Sequence, residues 1–444
     1  MGMITLRQAA DWCGGYVDPK FENVAFLGAN IDTRKLLPGQ LFVALEGVRD
    51  GHDFMDTAFE KGAAAVLCKH CDPQRPAIIV DDPRRALGRI AWGERGRIGM
   101  KTVGVTGSVG KSTTKEMIAC VLEGSYRVSK TPANFNNDLG MPMAILSMPE
   151  STQIAVLEMG MSHFGEIEYL SHIACPDVAV IINVGTMHME NLGSREGILQ
   201  AKLEILAGMG SQSKLMLNGD NDMLRSWTPD REVCWFGESD GCVVRGDDVQ
   251  EAPGSISYRV CWSGSSFRVT LPLEGRHYVC DSLAAVSVGL SMGVAPEDIV
   301  ARLAAFRTME GRQEIYEAKG FTIIQDCYNA GPESMAAALA VLGKRGGRRI
   351  AILGDMLELG ACAPREHFQV GVLAAQNADL VLAYGPLAGH VAQGAGAGSK
   401  TFDDHGLMAD YLRQNARPGD TLLFKGSHGM HMERVLEQFL KEET

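Results

Sequence analysis

The chain contains no apolar run approaching the ~18 residues that a membrane-spanning helix needs, and its first residues show no basic segment leading into an apolar one. Membrane insertion and a leader are therefore not expected, and the sequence reads as a soluble cytoplasmic protein. A cationic surplus is missing too. Lys and Arg number 42 against 54 Asp and Glu, a net charge of −12, which argues against the broad basic footprint of a nucleic-acid or anionic-lipid binder. Any anionic ligand must be held by local devices. The 11 cysteines, an odd number scattered from Cys13 to Cys362, lack the spacing of a disulfide framework and suit reduced thiols. The one CxxC, Cys68 to Cys71, has no second ligand pair nearby, so an incidental pair of thiols is the better reading than zinc. Repeats and low-complexity stretches are absent, and 45% hydrophobic with 22% charged residues excludes a disordered or fibrous chain. Glycine, by contrast, is plentiful at 51 of 444 residues, as expected where many short loops join elements or where backbone must approach a ligand. At ~150 residues per domain the length predicts about three domains.

Short β-rich apolar runs alternate with helical patterns, the signature of α/β units with largely parallel sheets. The runs at 41–45, 63–67 and 77–80 predict a small α/β domain over 1–98, ending where Glu94, Arg95, Arg97 and Lys101 cluster. Strands at 103–106, 154–158 and 178–183, a strand-rich segment over 233–273 and a helix over 282–292 make a central domain over 99–311. After Gly311 the pattern restarts, with strands at 321–325, 350–353, 380–384 and 421–424 and helices at 332–342, 364–376 and 429–440. That segment, 312–444, reads as a doubly wound, Rossmann-like domain.

The strongest local signal is Gly104-Val-Thr-Gly-Ser-Val-Gly-Lys-Ser112, set between a predicted strand and a helix starting around Lys111. Glycines let the backbone turn its N–H groups toward phosphate oxygens. Lys111 reaches the β and γ phosphates, and the Ser112 hydroxyl can ligate Mg²⁺. The stricter pattern wants glycine where Val105 stands, so this is a TGxxGKS variant of the P-loop. Glu158 ends one apolar strand and His188 follows another. Carboxyl ends of parallel strands open onto one crevice, so both should converge on the phosphate loop as Mg²⁺-site groups. In 197–206, Lys202 falls on the stripe of Ile198, Ile205 and Leu206. A cation on an apolar stripe marks either a functional site or a lysine that snorkels to water, and from the pattern alone snorkelling is the better account.

In the third segment Asp326, Asn329 and Ser334 lie where a strand end runs into a helix that carries Pro332 near its first turn. The loops 354–360 and 425–428 also follow strands, which suggests one ligand-facing edge. Taken alone, the 354–360 loop is better read as ordinary turn chemistry.

Together these segments resemble the Mur ligases of peptidoglycan precursor synthesis over essentially the whole chain. The residues that carry the resemblance are Asp32-Thr-Arg34, Pro38 to Gly47 and Asp50 to Phe54, then Thr106 to Met117, Asn134 to Pro142, Glu158 to Ile167 and Asn183 to His188, with Asp326 to Met335 and Gly354 to Gly360. The resemblance is closest to the branch acting on UDP-N-acetylmuramoyl-tripeptide and D-alanyl-D-alanine, and implies a monomeric ligase that uses ATP and Mg²⁺ through an acyl phosphate. It implies a uridine-end site with Thr33 and Arg34, and ATP held by Gly107, Ser108, Gly110, Lys111, Ser112 and Thr113 with Arg312, Asp326 and Asn329. One Mg²⁺ would lie on Ser112 and Glu158, and a second on His188 and Lys202, the latter matching a lysine that the family carbamylates. Lys111, His188 and Lys202 would carry the catalytic roles. Asn136, Asn137, Ser334, Lys425 and Ser427 would face substrate, the last two near the dipeptide. Three departures stand out. His277-Tyr-Val-Cys-Asp281 replaces the usual His-Asn-x-x-Asn, Asn329-Ala-Gly-Pro332 replaces Asn-Ala-Asn-Pro, and His428 replaces an arginine. They keep open an alternative, an altered paralogue that binds nucleotide or sugar nucleotide without ligation.

Overall fold

The computed structural model describes residues 2–441. It is an α/β protein built on three main sheets. A four-stranded parallel sheet joins Ala29–Asn30, Leu41–Val43, Ala65–Cys68 and Ala77–Ile79 in chain order. The helix Pro83–Ile98 follows, with Pro83 at its first turn, the Asp82 side chain accepting from Arg85 N, and Gly99 ending it in the left-handed region.

The second sheet has nine strands, in the order Ser265–Leu271, Ser255–Trp262, Val244–Ala252, Val233–Gly237, Lys214–Asn218, Val178–Ile181, Lys101–Thr106, Ile154–Glu158 and Val128–Lys130. Neighbours run parallel from Val244–Ala252 onward, while the first two strands join antiparallel. The central strands are apolar on both faces because both are covered. Val103, Val105 and Val180 pack with residues of helices Lys111–Leu122 and His277–Ser291. On the other face Ala155, Leu157 and Ile181 share a core with Leu41, Leu67 and Leu87 of the first sheet and its helix. That shared core is tightly closed. A Cβ on Gly88 would lie 2.1 Å from the Tyr169 hydroxyl oxygen, and the Arg85 guanidinium stacks 4.4 Å from the Tyr169 ring centre.

The third sheet runs Glu314–Ala318, Phe321–Asp326, Thr421–Lys425, Arg349–Gly354, Leu380–Tyr384 and Ser399–Phe402, antiparallel at the first pair and parallel thereafter. Its two faces carry cores of their own. The chain enters it through Gly311 (φ +69) and Gln313 (φ +48), and its contacts with the central domain include the ion pairs Lys344–Glu251 and Arg345–Glu274.

Some element ends differ from expectation. The helix expected over 429–440 is a 3-10 turn, His428–Met430, then a helix Glu433–Leu440, because His431 sits at φ +50 between them. The strand expected to reach Asn183 stops at Ile181, and the Asn183 side chain just beyond it bonds the phosphate loop. The helix bearing Lys202 ends at Leu203 and continues as a 3-10 turn, Glu204–Gly208. The stripe nevertheless faces inward, with Ile198, Lys202 and Ile205 all buried. Snorkelling to water is thus corrected for Lys202: its side chain runs into the protein. Among the described residues no helix is long and apolar enough to cross a membrane.

Candidate active site

The loops at the carboxyl ends of the second and third sheets face each other across a cavity of about 710 Å³. Its floor is the phosphate loop. Strand Lys101–Thr106 delivers the chain into it, and Gly110 (φ +82) starts helix Lys111–Leu122. Glycine is required there twice over, for its backbone and because a Cβ would lie 2.6 Å from Asp281 Oδ1. Asn183 clamps the loop: its Oδ1 accepts from Ser108 N (2.9 Å) and Val109 N (3.0 Å), and its Nδ2 donates to Val109 O (3.0 Å). Ser108 Oγ accepts from Gly185 N at 2.9 Å. Lys111 Nζ curls back to donate to Gly107 O (2.8 Å) and Ser108 O (3.2 Å). Burial lowers the Lys111 ammonium from its usual value, and the Glu158 charge draws it back up.

Ser112 is the meeting point. Its Oγ donates to Glu158 Oε2 (2.7 Å) and accepts from Arg312 Nη2 (2.8 Å). Glu158 Oε1 accepts from Asn136 Nδ2 at 2.9 Å. Behind it Lys115, fully buried, lies 3.6 Å from Glu158 Oε2 and donates to Thr131 O at 2.7 Å. Among the described residues no three His, Cys, Asp or Glu side chains gather into a metal cage. A hydroxyl and a carboxylate side by side beneath the phosphate loop are instead the partial, hard-oxygen set that Mg²⁺ shares with phosphate oxygens and water, so the residues fit that ion.

His188 lines the cavity from the other side. Lys202 does not line it. It lies buried beneath, with its ammonium held well below the ordinary lysine value by burial first and by Lys111 second. That shift favours the neutral amine, the form that can react with CO₂.

From the third sheet come Arg312, stacked 3.9 Å from the Tyr328 ring centre, and Asp326, Asn329 and Ser334. Lys425 lines the cavity as well, but it is buried and committed, donating to Asp326 Oδ2 (2.7 Å) and Asn329 O (2.9 Å). Ser427 lies behind the wall, accepting from Leu357 N (3.0 Å) and donating to Ala330 O (3.3 Å). Ser334 caps its own helix through Gly331, and Asn137 lines the cavity while accepting from Gly140 N at 2.8 Å. Thr33 and Arg34 are elsewhere, on the first domain, where Arg34 Nη2 pairs with Asp32 Oδ2 at 2.8 Å.

Several residues of the site were not singled out from the sequence. Asn183 and Lys115 are two; the signal for Lys115 was its place one helical turn after Lys111. From the third sheet, Glu333 Oε1 accepts from Thr186 N (2.9 Å) and Thr186 Oγ1 (3.1 Å), and Glu358 Oε2 lies 2.7 Å from His188 Nδ1. The reading of loop 354–360 as ordinary turn chemistry is thereby corrected, because Glu358 carries it into the cavity wall.

Three family models match the chain: the Mur ligase family catalytic domain over residues 25–95, the Mur ligase middle domain over 105–289, and the Mur ligase glutamate ligase domain over 311–428. The chain belongs to the Mur ligase family. It is 39% identical to the UDP-N-acetylmuramoyl-tripeptide–D-alanyl-D-alanine ligase of Bacillus subtilis, over 98% of each chain. The Escherichia coli protein of the same name is 34% identical over 99% of each. Among solved structures, MurF from Acinetobacter baumannii superposes with a TM-score of 0.93 at 31% identity over the full length of both chains. MurF from Thermotoga maritima in complex with ADP gives 0.85 at 32% identity, covering 94% of this chain and 97% of that one.

Where this Mur ligase departs from its family, the cavity shows what the changes do. Asp281 accepts from Thr114 Oγ1 at 3.0 Å. Burial pushes its carboxyl up to about 7, with the Thr114 hydrogen bond and Arg312 drawing it back. Tyr278 is buried, its ring 4.1 Å from that of His277. His428 lies 6.1 Å from the Tyr328 ring. Beside them, Ser112 keeps its hydrogen bond to Glu158 and Lys111 its bonds to the phosphate-loop carbonyls.

Proposed function

We propose that this chain is an ATP-dependent, ADP-forming ligase that joins D-alanyl-D-alanine to UDP-N-acetylmuramoyl-tripeptide. The observation that carries the reading is the Arg312–Ser112–Glu158 junction, a phosphate loop closed by a cation from the domain that would present the acceptor, in a chain similar over its whole length to ligases of that name. The altered-paralogue alternative has no such support.

A carboxylate is a poor acyl donor. The tripeptide's terminal carboxylate oxygen would attack the γ-phosphorus, the bond to the β-phosphate oxygen would break, and ADP would leave. The amine nitrogen of the dipeptide would then add to the acyl carbon of the mixed anhydride. The resulting tetrahedral centre collapses to the amide, expelling inorganic phosphate, while the amine's proton passes to solvent or a nearby base. Lys111 and Arg312 would offset charge on the transferring phosphoryl group. Ser112 and Glu158 would hold one Mg²⁺, and His188 and Lys202, as its carbamate, a second; the ions supply charge neutralisation for the phosphates. Gly107, Ser108, Gly110 and Thr113 would bind phosphate oxygens, with Asp326 and Asn329 on the nucleotide.

In this reading residues 1–98 hold the uridine end near Thr33 and Arg34, 99–311 bind ATP, and 312–444 close over it and present the dipeptide. Asn136, Asn137 and Ser334 would face substrate. The committed hydrogen bonds of Lys425 and Ser427 suit them to shaping the dipeptide pocket. A cytosolic location fits the 11 free thiols, and the protein would act as a monomer. The test is a coupled assay: ADP and phosphate should appear only when both the nucleotide-sugar tripeptide and the dipeptide are present, with the pentapeptide found by mass. ATP turnover indifferent to both would overturn the reading.

A further inference from the structure

Two non-glycine residues in the left-handed backbone region face each other across the cavity. His188 has φ +62 and Glu358 φ +64, and their side chains meet at 2.7 Å. Such conformations persist only where the surroundings fix them, and they cluster at functional sites. Here the surroundings do so. Met356 and Leu359 on either side of Glu358 are buried. Met356 N donates to His367 Nε2 (2.9 Å) and Leu357 N to Ser427 Oγ (3.0 Å). Gly360 backs onto the segment just after His188, where a Cβ would lie 2.9 Å from Glu190 Cβ. A loop anchored at both ends thus carries one carboxylate to one imidazole.

The Nδ1 atom of His188 is buried and lies 2.7 Å from Glu358 Oε2, a contact that is not aligned as a hydrogen bond in this structure, so Nε2 is the nitrogen left for a ligand in the cavity. A carboxylate brought into line with Nδ1 would keep the proton there, leave the lone pair on Nε2 and fix the plane of the ring. We propose that Glu358 is the positioning residue of His188: the third domain supplies the carboxylate that aims Nε2 at a divalent cation. The inference rests on the reading of His188 as a cation ligand given above. It adds that this cation site is complete only when the third domain is closed.

Mn²⁺ binding to the full-length protein with ADP, followed by the free-ion electron paramagnetic resonance signal, tests it without turnover. Glu358→Gly removes the carboxylate while relieving the backbone. It should weaken the His188-dependent Mn²⁺ by roughly 10- to 100-fold, leave the Mn²⁺ on Ser112 and Glu158 in place, and keep Tm level or raise it. Glu358→Gln, whose amide oxygen can accept from Nδ1, should recover part of the affinity. If His188→Ala loses the second Mn²⁺ and Glu358→Gly does not, the positioning role is overturned and the cation reading stands. If His188→Ala keeps both ions, the cation reading itself fails and the inference with it.

Discussion

Arg312 donates to Ser112 Oγ at 2.8 Å while its guanidinium lies flat on Tyr328, 3.9 Å from the ring centre. The pair joins the segment that enters the third sheet to the first turn of the phosphate-loop helix. A lysine would keep the charge but lose the planar fork and the stacking. Arg312→Lys should therefore lower kcat by roughly 100-fold and weaken the thermal stabilisation given by ADP. Rates equal to wild type in the coupled assay would remove Arg312 from the phosphoryl-transfer machinery.

Lys202 provides a second test, because a neutral buried amine is what carbamate formation requires. Lys202→Ala should lose most ligase activity and regain part of it with a small carboxylate such as acetate or formate, which can supply the missing oxygen ligand. Activity unchanged without rescue would exclude the carbamate.

Asp281 makes stability depend on pH with a definite sign. Its folded value, about 7, lies above the ordinary aspartate value of 3.8, so the folded state binds the extra proton between those values. Stability should fall as pH rises from about 4 to about 7 and then level off. At ~1.4 kcal/mol per pKa unit the cost of ionising it is a few kcal/mol. Asp281→Asn should raise Tm more at pH 8 than at pH 5; the reverse order would show that the carboxylate is compensated elsewhere.

The join between the first and central domains can be probed at Gly88. Gly88→Ala forces a methyl against the Tyr169 hydroxyl and should cost about 1–3 kcal/mol in denaturant unfolding. Tyr169 Oη is buried without a hydrogen-bond partner among the described residues. Tyr169→Phe should therefore cost little alone and restore part of the loss in the double variant, the non-additivity that touching residues show. The rest of the loss stays, since Ile173 Cδ1 and the ring Cζ still lie 2.9 Å from the new methyl.

The phosphate loop, Glu158 and His188 were legible in the sequence because their chemistry is local: a strand, a turn and a polar group at its end. Parallel topology then places such ends together. Lys202 was visible as a break in an apolar stripe, although whether it snorkels or stays buried depends on neighbours that no stripe records. Glu333 and Glu358 were hidden for a different reason. Each sits in a segment that is unremarkable alone, and each acquires its partner, Thr186 or His188, only when two separately folded sheets meet. The clamp by Asn183 spans 75 residues to Ser108, a relationship that local pattern does not encode.

The apolar core shared by the first and central domains has a consequence for what the enzyme measures. If the uridine end is gripped near Arg34 and the carboxylate must arrive at Lys111, the two grips are set at a fixed spacing by side chains such as Leu87 and Leu157. On that reading, this half of the molecule would act as a ruler. A nucleotide-sugar peptide one residue too short would be bound yet fall short of the phosphate, so chain length would be read before any side chain of the peptide is.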